Sequence, residues 1–163
     1  MDQQPLAKGV SASRVLMTEL VIPEDTNPQG NIFGGRVMAL IDKAASIVAL
    51  RHCRSPIATV SVDKLTFLSP IRLGSIVVLE ARLHSVFRSS MEVGVRVESE
   101  DVFTGERRHT TTAYVTLVAL DAAGRAVPAP PLRLETEEDR ALAGEAAARR
   151  AHRLSQRDQI THP

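Results

Sequence analysis

Apolar and polar residues alternate along two stretches in the middle of the chain, residues 76–87 and 91–100. The apolar positions are Val77, Leu79, Ala81 and Leu83 in the first stretch and Met91, Val93, Val95 and Val97 in the second. A repeat of two residues is expected of a β-strand with one buried face, so each stretch predicts such a strand.

Two further runs, residues 57–68 and 107–120, are rich in Thr and Val and also predict strands. The links between the four runs are short and polar: residues 69–74, 88–90 and 101–106. Short links between consecutive strands predict hairpins, and therefore an antiparallel sheet. An earlier strand is predicted over residues 14–22, ended by Pro23.

Residues 34–52 form a long, mostly apolar run that predicts one helix, buried nearly all round. The helix follows a loop rich in Pro, Asp, Asn and Gly, residues 24–30, and ends before Ser55-Pro56. The order is thus one strand, a long helix and four strands without another crossover. A curled antiparallel sheet wrapped around the helix is the arrangement that covers so much apolar helix surface. The predicted fold is therefore the α+β hotdog fold, over residues 14–131.

The composition changes on both sides of this domain. Residues 1–13 are polar or small, and we expect them to be disordered. After a Pro-rich stretch, residues 132–163 are predicted to hold a charged helix, at 136–154, and a loose tail. The helix has a cluster of four arginines, which predicts a solvated surface or a contact with a neighbouring subunit: Arg149, Arg150, Arg153 and Arg157.

Composition limits the functions that fit the chain. Its length of 163 residues fits one domain. Its formal net charge of +1 gives no strong electrostatic attraction to nucleic acid or anionic lipid. The single cysteine, Cys53, excludes an internal disulfide and suits a reducing compartment. We find no apolar run of about 18 residues that would span a membrane, and residues 1–13 lack the pattern of a secretory signal. We therefore expect a soluble cytoplasmic protein.

The predicted helix carries one acid, Asp42, among small side chains. On a helical wheel its neighbours are Gly35, Met38, Ala39, Ala45, Ser46 and Ala49. Small neighbours leave room for a ligand or another backbone. Asp42 could act as a general base toward a water molecule, or it could pair with an Arg or Lys of a neighbouring subunit.

The start of the helix offers a second group of candidate residues. The N–H groups of Gly34 and Gly35 lack intrahelical partners at the positive end of the helix dipole, where they would stabilise an oxyanion during acyl transfer. Asn31 offers a side-chain amide to the same oxygen or to a water molecule. Alternatively, Asn31 is a turn residue or helix cap, and the two glycines only allow close packing.

These residues carry a resemblance to a known family. The matching segments are residues 30–35, 40–42, 49–53, 61–63, 70–74, 88–91 and 116–121, together with Phe67. In that order, and over residues 16–131, they resemble the YciA-type acyl-CoA thioesterases, a hotdog family that includes the cytosolic brain acyl-CoA hydrolases. The resemblance implies hydrolysis of a fatty acyl-CoA to CoA and a carboxylic acid, with no cofactor except CoA as part of substrate and product.

The resemblance also implies roles for residues. Asp42 matches the family's acid, and Asn31 matches the Asn of its eukaryotic members, where bacterial members often carry Asp. With Gly35, these two are the predicted catalytic residues. The predicted residues for substrate and CoA binding are Phe33, Gly34, Arg88, Ser89 and Ser90. The C-terminal arginines could cover a CoA phosphate.

The resemblance further implies how subunits assemble. It implies a homodimer whose two long helices lie side by side under a continuous sheet, commonly with three such dimers in a hexamer. Asn31 of one subunit would then face Asp42 of the partner subunit.

Other candidate residues fit structural roles better. His52 and Cys53 are adjacent and point about 100° apart on a helix, so we expect no nucleophile–base pair and a buried structural Cys. His84 and His109 lack partners at metal-ligand spacing, so we expect no zinc site. Asp63 is predicted to share a strand face with Thr59 and Ser61, which suits a subunit interface.

Two other functions use the same fold. An acyl-thioester dehydratase or hydratase needs a catalytic His paired with an acid, and no His lies near residues 31–35. A non-enzymatic acyl-CoA sensor that regulates transcription would need a DNA-binding segment, and residues 1–13 are too few for a helix-turn-helix. The thioesterase is therefore the expected function.

Overall fold

The computed structural model describes the backbone of residues 6–160 and the side chains of residues 6–156. In chain order the elements are β1 (Lys8–Gly9), a 3₁₀ turn (Val10–Ala12), β2 (Val15–Leu20), a second 3₁₀ turn (Pro23–Asp25), α1 (Gly34–Cys53), β3 (Ile57–Val62), β4 (Ile76–Val86), β5 (Ser90–Glu100), β6 (Arg107–Ala119), β7 (Leu132–Arg133) and α2 (Glu137–Ile160). The predicted α+β order of one strand, a long helix, four strands and a charged helix is confirmed. Within the described part of the chain, neither helix is long and apolar enough to cross a membrane.

Five strands form one antiparallel sheet in the order β2-β4-β5-β6-β3. The hairpins predicted between β4 and β5 and between β5 and β6 are confirmed. The hairpin predicted between β3 and β4 is wrong, because β3 pairs with β6 at one edge and β4 pairs with β2 near the other. Since β3 ends at Val62, the connection extends over residues 63–75, which is long enough to cross the sheet.

The core lies between α1 and one face of the five-stranded sheet, its inner face. The buried helix residues are Val37, Leu40, Ile41, Ala44, Ala45, Val48, Ala49 and His52. They pack against sheet residues that include Leu79, Leu83, Val93, Val95, Val115 and Leu117. Burial of each large aliphatic side chain contributes about 1.5–3 kcal/mol, so this helix–sheet contact is the main source of stability.

One stripe of α1 is exposed, in contrast to the prediction of a helix buried nearly all round. Gly35, Met38, Ala39, Asp42 and Leu50 are exposed. Their spacing of mostly three or four residues, with half-buried Ser46 between the last two, places them on one side of the helix. The sheet covers only the opposite side, so α1 presents a partly apolar surface next to the edge strand β3.

The disorder predicted for residues 1–13 is wrong for residues 6–13, and residues 1–5 lie outside the described residues. β1 pairs in parallel with β7, and Val10 is only 4% exposed. Lys8 Nζ donates to the carbonyl oxygen of His52 at 2.6 Å, at the C-terminal end of α1. A cation is favourable there because the carbonyl end of a helix carries partial negative charge.

Candidate active site

The loop that leads into α1 is organised by Asn27. Its side-chain Oδ1 accepts hydrogen bonds from the backbone N–H groups of Gln29 and Asn31, each at 3.1 Å. Gly30 has φ +77°, which a glycine adopts without steric cost, and its N–H donates to the Asn27 carbonyl at 2.9 Å. This is a tight Asx-type turn, so the loop has a defined shape.

The same loop is fastened to neighbouring segments. Ile32 N donates to Ile71 O at 2.8 Å, and Leu73 N donates to Gly30 O at 2.9 Å. Phe33 N donates to Asp25 O at 2.9 Å. The predicted site residue Asn31 lies within this bonded loop, and its backbone forms an isolated bridge with Arg72.

The first amides of α1 are open for a ligand. Phe33 is the N-cap residue and makes no side-chain cap, and the first amides bonded to its carbonyl are those of Arg36 and Val37, at 3.0 and 3.2 Å. Among the described residues, the N–H groups of Gly34 and Gly35 have no hydrogen-bond acceptor. A Cβ at Gly34 would lie 3.3 Å from the Phe67 ring, whereas a Cβ at Gly35 would meet nothing within 4 Å.

Asp42 lies two turns further along the exposed stripe of α1 and is bonded to the edge strand. Thr59 Oγ1 on β3 donates to Asp42 Oδ1 at 2.7 Å. No ion pair within residues 6–156 involves Asp42. The hydroxyl holds one carboxylate oxygen, and the other has no hydrogen-bond partner among the described residues.

Thr59 is a residue that sequence reasoning missed as part of the site. A threonine in a strand ordinarily reflects strand propensity, so nothing in the pattern singled it out. The contact joins residues 17 positions apart on different elements, and only the packing of β3 beside α1 brings them together.

A β-bulge corrects the prediction that Thr59 and Asp63 share a strand face. Thr59 pairs with buried Leu117, and Ser61 pairs with the adjacent Thr116, so Val60 between them has no partner in the register. Directly opposed residues of antiparallel strands lie on the same face, and neighbouring residues lie on opposite faces. Thr59 therefore points to the inner face with α1, and Asp63 belongs to the outer face.

Arg88 and Ser89 lie in the turn between β4 and β5, within the predicted link, and Ser90 is the first residue of β5. Phe87 N donates to Ser90 O at 2.8 Å, and Ala119 N donates to Ser89 O at 2.9 Å. The Arg88 side chain is exposed. In the register, Ser90 and Ala58 both pair with Val118, so the turn lies two strand spacings, about 10 Å, from the residue that precedes Thr59.

The pair His52 and Cys53 has structural roles. His52 is fully buried, and its Nε2 lies 2.7 Å from Pro130 O. Cys53 Sγ contacts Met91 Sδ at 3.2 Å, and burial raises the pKa of the Cys53 thiol to about 11, although Lys8 opposes this. A thiol with so high a pKa is a poor nucleophile at neutral pH.

Comparison with known proteins gives consistent matches. Residues 29–104 match the model of the thioesterase superfamily. The chain is 41% identical over 155 residues to the uncharacterized acyl-CoA thioester hydrolase YkhA of Bacillus subtilis, a match that covers 95% of this chain and 90% of that protein. It is 36% identical over 138 residues to the human cytosolic acyl coenzyme A thioester hydrolase, which covers 83% of this chain and 36% of that longer protein.

Solved structures agree with these matches. An apo-hexameric acyl-CoA thioesterase superposes with a TM-score of 0.89 at 40% identity, over 93% of this chain and 97% of that chain. An acyl-CoA hydrolase from Staphylococcus aureus in complex with butyryl coenzyme A, coenzyme A and coenzyme A disulfide has a TM-score of 0.85 at 32% identity, over 96% of this chain and 98% of that one. Variants of that hydrolase with one Asp, one Thr or one Asn replaced by Ala are also solved. The fold, the extent of these matches and their identities show that this chain belongs to the thioesterase superfamily, among its hotdog-fold acyl-CoA thioester hydrolases.

Proposed function

We propose that this protein hydrolyses fatty acyl-CoA thioesters to free CoA and a carboxylic acid. The observation that carries the proposal is the bond from Thr59 to Asp42, which fixes one oxygen of a carboxylate on the exposed stripe of α1. The stripe starts at Gly35, whose free amide lies at the positive end of the helix. A base for water and a donor for an oxyanion are the two requirements of acyl transfer to water.

In the proposed reaction Asp42 removes a proton from a water molecule as the water oxygen attacks the thioester carbonyl carbon. The carbonyl π electrons move to its oxygen, and the amide of Gly35 stabilises the resulting negative charge. The tetrahedral intermediate then collapses, the carbon–sulfur bond breaks, and the CoA sulfur takes up the proton from Asp42. Thr59 keeps Asp42 in one orientation throughout.

The spacing of replaced residues in the Staphylococcus aureus variants supports these roles. In that hydrolase the Asp follows the Asn by 15 residues, and the Thr follows the Asp by 17. In this chain Asn27, Asp42 and Thr59 have the same two intervals. Asn27 thus joins Asn31 as a candidate donor to the substrate. Its Oδ1 is occupied by two backbone N–H groups, which leaves its Nδ2 to donate.

We further propose that the site is completed by a second subunit, as the family resemblance implied for Asn31 and Asp42. The exposed stripe on α1 lies beside β3, an edge strand with Val60 57% and Val62 42% exposed. An unpaired strand edge next to an apolar helix surface suits pairing with the same edge of a second copy. Hexamers known among structural relatives fit a trimer of such dimers.

The substrate's CoA moiety is assigned to the turn of Arg88, Ser89 and Ser90. An exposed guanidinium makes charge-assisted hydrogen bonds to phosphate, and the turn lies near the Thr59 end of β3. Phe33 and Gly34 would contact the acyl–thioester end at the start of α1. We propose a cytoplasmic location, in line with the cytosolic human relative.

A panel of acyl-CoA substrates from acetyl to palmitoyl tests the function through release of the CoA thiol. The Asp42→Ala variant identifies any contaminating activity, and Lys43→Ala, an exposed neighbour on α1, is the matched control. The proposal requires turnover by the parent and the control, with a loss of at least a hundredfold in Asp42→Ala. A parent that binds an acyl-CoA tightly but turns over none of the panel would instead indicate a sensor.

A further inference from the structure

A network of buried charges lies on the outer face of the sheet, away from the proposed site. Glu92 of β5 is fully buried, and its Oε1 accepts from Arg149 Nη2 at 2.8 Å and Nε at 3.1 Å. His84 Nδ1 lies 3.7 Å from the same oxygen. The Arg149 guanidinium also stacks on the Tyr114 ring, 3.7 Å from its centroid. α2 is therefore docked on the sheet through charge, in contrast to the predicted solvated helix.

Arg153, one turn further along α2, connects this network to the end of β3. Its Nη1 donates to Glu92 Oε2 at 3.1 Å and to Asp63 Oδ2 at 2.8 Å. Asp63 is the residue directly after β3, and its backbone N–H donates to Tyr114 O at 3.0 Å. Asp63 is thus held by its side chain and by its backbone.

Asp63 lies just beyond the β-bulge of β3, which orients Thr59 toward Asp42. The bulge between Thr59 and Ser61 reverses the faces of β3, so Thr59 faces α1 and Asp63 faces Arg153. A bulge makes a strand bend locally, and its geometry depends on what fixes the residues on either side. Here Asp42 fixes one side and Arg153 the other.

Asp63 also begins the segment that covers the start of α1. Leu68 N donates to Thr110 O at 2.8 Å, which closes the segment at its other end. Between the two anchors, Phe67 places its ring against Gly34. The path from Arg153 therefore reaches Gly34 as well as Thr59.

Buried ion pairs are costly to assemble and often add little net stability, so their presence calls for another reason. Burial would raise the pKa of Glu92, but the nearby His84 and the hydrogen bonds from Arg149 and Arg153 together lower it, and Glu92 stays ionised. The fixed carboxylate holds Arg153 in one geometry, and Arg153 holds Asp63.

We infer that Arg153 and Asp63 are positioning residues for thioester hydrolysis, which set the β3 bulge so that Thr59 stays bonded to Asp42 and Phe67 stays over Gly34. This inference rests on the proposed function. The C-terminal helix then acts on the site from the far face of the sheet, without contact with substrate.

Asp63→Asn is the sharpest variant, because it weakens only the link to β3 and leaves Glu92 with both arginines. We expect kcat to fall about tenfold, since small misplacement of catalytic groups is costly, with KM within about twofold of the parent. Hydrogen exchange in peptides from residues 57–68 should increase, while the core of α1 stays protected. Arg140→Gln, on the same helix and paired with exposed Glu137, is the control and should behave like the parent.

A second comparison uses Arg153 itself. Because one nitrogen, Nη1, makes both bonds, Arg153→Lys keeps a cation that can bridge the two acids, and Arg153→Gln does not. We expect kcat of the Lys variant to lie closer to the parent than that of the Gln variant. If Asp63→Asn keeps the parent's kcat and exchange pattern while the parent hydrolyses acyl-CoA, the positioning role is wrong and the proposed function stands. A parent inactive on every acyl-CoA would overturn both.

Discussion

Thr59 on the edge strand β3 donates a hydrogen bond of 2.7 Å to Asp42 on the central helix α1. The bond joins this edge strand to the exposed stripe of α1, and it immobilises one oxygen of the only acid in α1. A single hydroxyl on the neighbouring strand thus sets the orientation of this carboxylate. This makes the contact the centre of the proposed site.

Replacing Thr59 with valine should lower kcat about ten- to a hundredfold, because a hydrogen bond to a charged group is worth about 1.5–3 kcal/mol. Valine keeps the shape of threonine and removes only the donor. Thr59→Ser retains the hydroxyl and should keep most of the activity. Steady-state thiol release with one acyl-CoA measures both variants. Equal kcat for Thr59→Val and the parent would mean that the bond does not serve catalysis.

Replacing Asn27 with aspartate separates its structural role from a donor role. The aspartate keeps an oxygen for the N–H groups of Gln29 and Asn31, so the loop should fold, but it removes the Nδ2 donor. We expect a loss of kcat of at least tenfold, as for other oxyanion or substrate donors. Asn31→Ala, measured beside it, tests the donor predicted from the sequence. If only Asn31→Ala loses activity, Asn31 is the donor and Asn27 shapes the loop.

The sequence predicted those features that follow from local pattern. Alternation along β4 and β5 indicates one buried face, and the glycines after Asn31 mark the start of α1. The exposure of Asp42 and its contact with Thr59 could not be predicted from pattern, because they depend on which strand lies at the edge beside the helix. The single register shift at Val60 reversed the face of Asp63, and no residue there is diagnostic of a bulge.

The terminal segments were predicted less well for a related reason. Residues 8–12 lack periodicity, and they are ordered through non-local partners such as the His52 carbonyl. Arg149 and Arg153 were grouped by charge, whereas their partner Glu92 looks from the sequence like one more polar residue on a half-exposed strand. Such pairs become visible only when helix and sheet are docked.

The Cys53 thiol should be unreactive in the native protein. Because burial raises its pKa to about 11, only about one thiol in a thousand is ionised at pH 8. We expect slow reaction with a thiol reagent under native conditions and rapid reaction of one thiol in denaturant. Cys53→Ser should keep thioesterase activity within about twofold. Fast native labelling that abolishes activity would place this thiol in the site instead.

The stability of the protein should depend on pH through Asp139, near the start of α2. Asp139 Oδ2 accepts from the N–H groups of Glu135 and Thr136, at 3.1 and 3.0 Å, and Thr136 Oγ1 accepts from Asp139 N at 3.0 Å. This reciprocal cap is worth about 1 kcal/mol. Burial would raise the pKa of Asp139, but these bonds lower it overall.

A carboxyl group whose pKa is lower in the folded state stabilises the protein fully when the pH is above its unfolded-state pKa, about 3.9. This stabilisation is lost as the pH falls through the folded-state pKa. The free energies of unfolding that urea titrations give for the parent and Asp139→Asn should therefore differ at pH 7. They should converge as the pH falls below about 4. A difference that stays constant down to the acid limit would show that the carboxylate charge has no part in the cap.

The role of Asp42 as the base is tested most directly by the turnover of Asp42→Asn. Asparagine keeps the size of Asp42 and an oxygen for Thr59, and it removes only the ability to take a proton from water. With the oligomeric state confirmed by light scattering, we expect kcat to fall about 10²–10⁴-fold on the best acyl-CoA, with KM little changed. An Asp42→Asn enzyme that turns over at the parent's rate would contradict the assignment of Asp42 as the base.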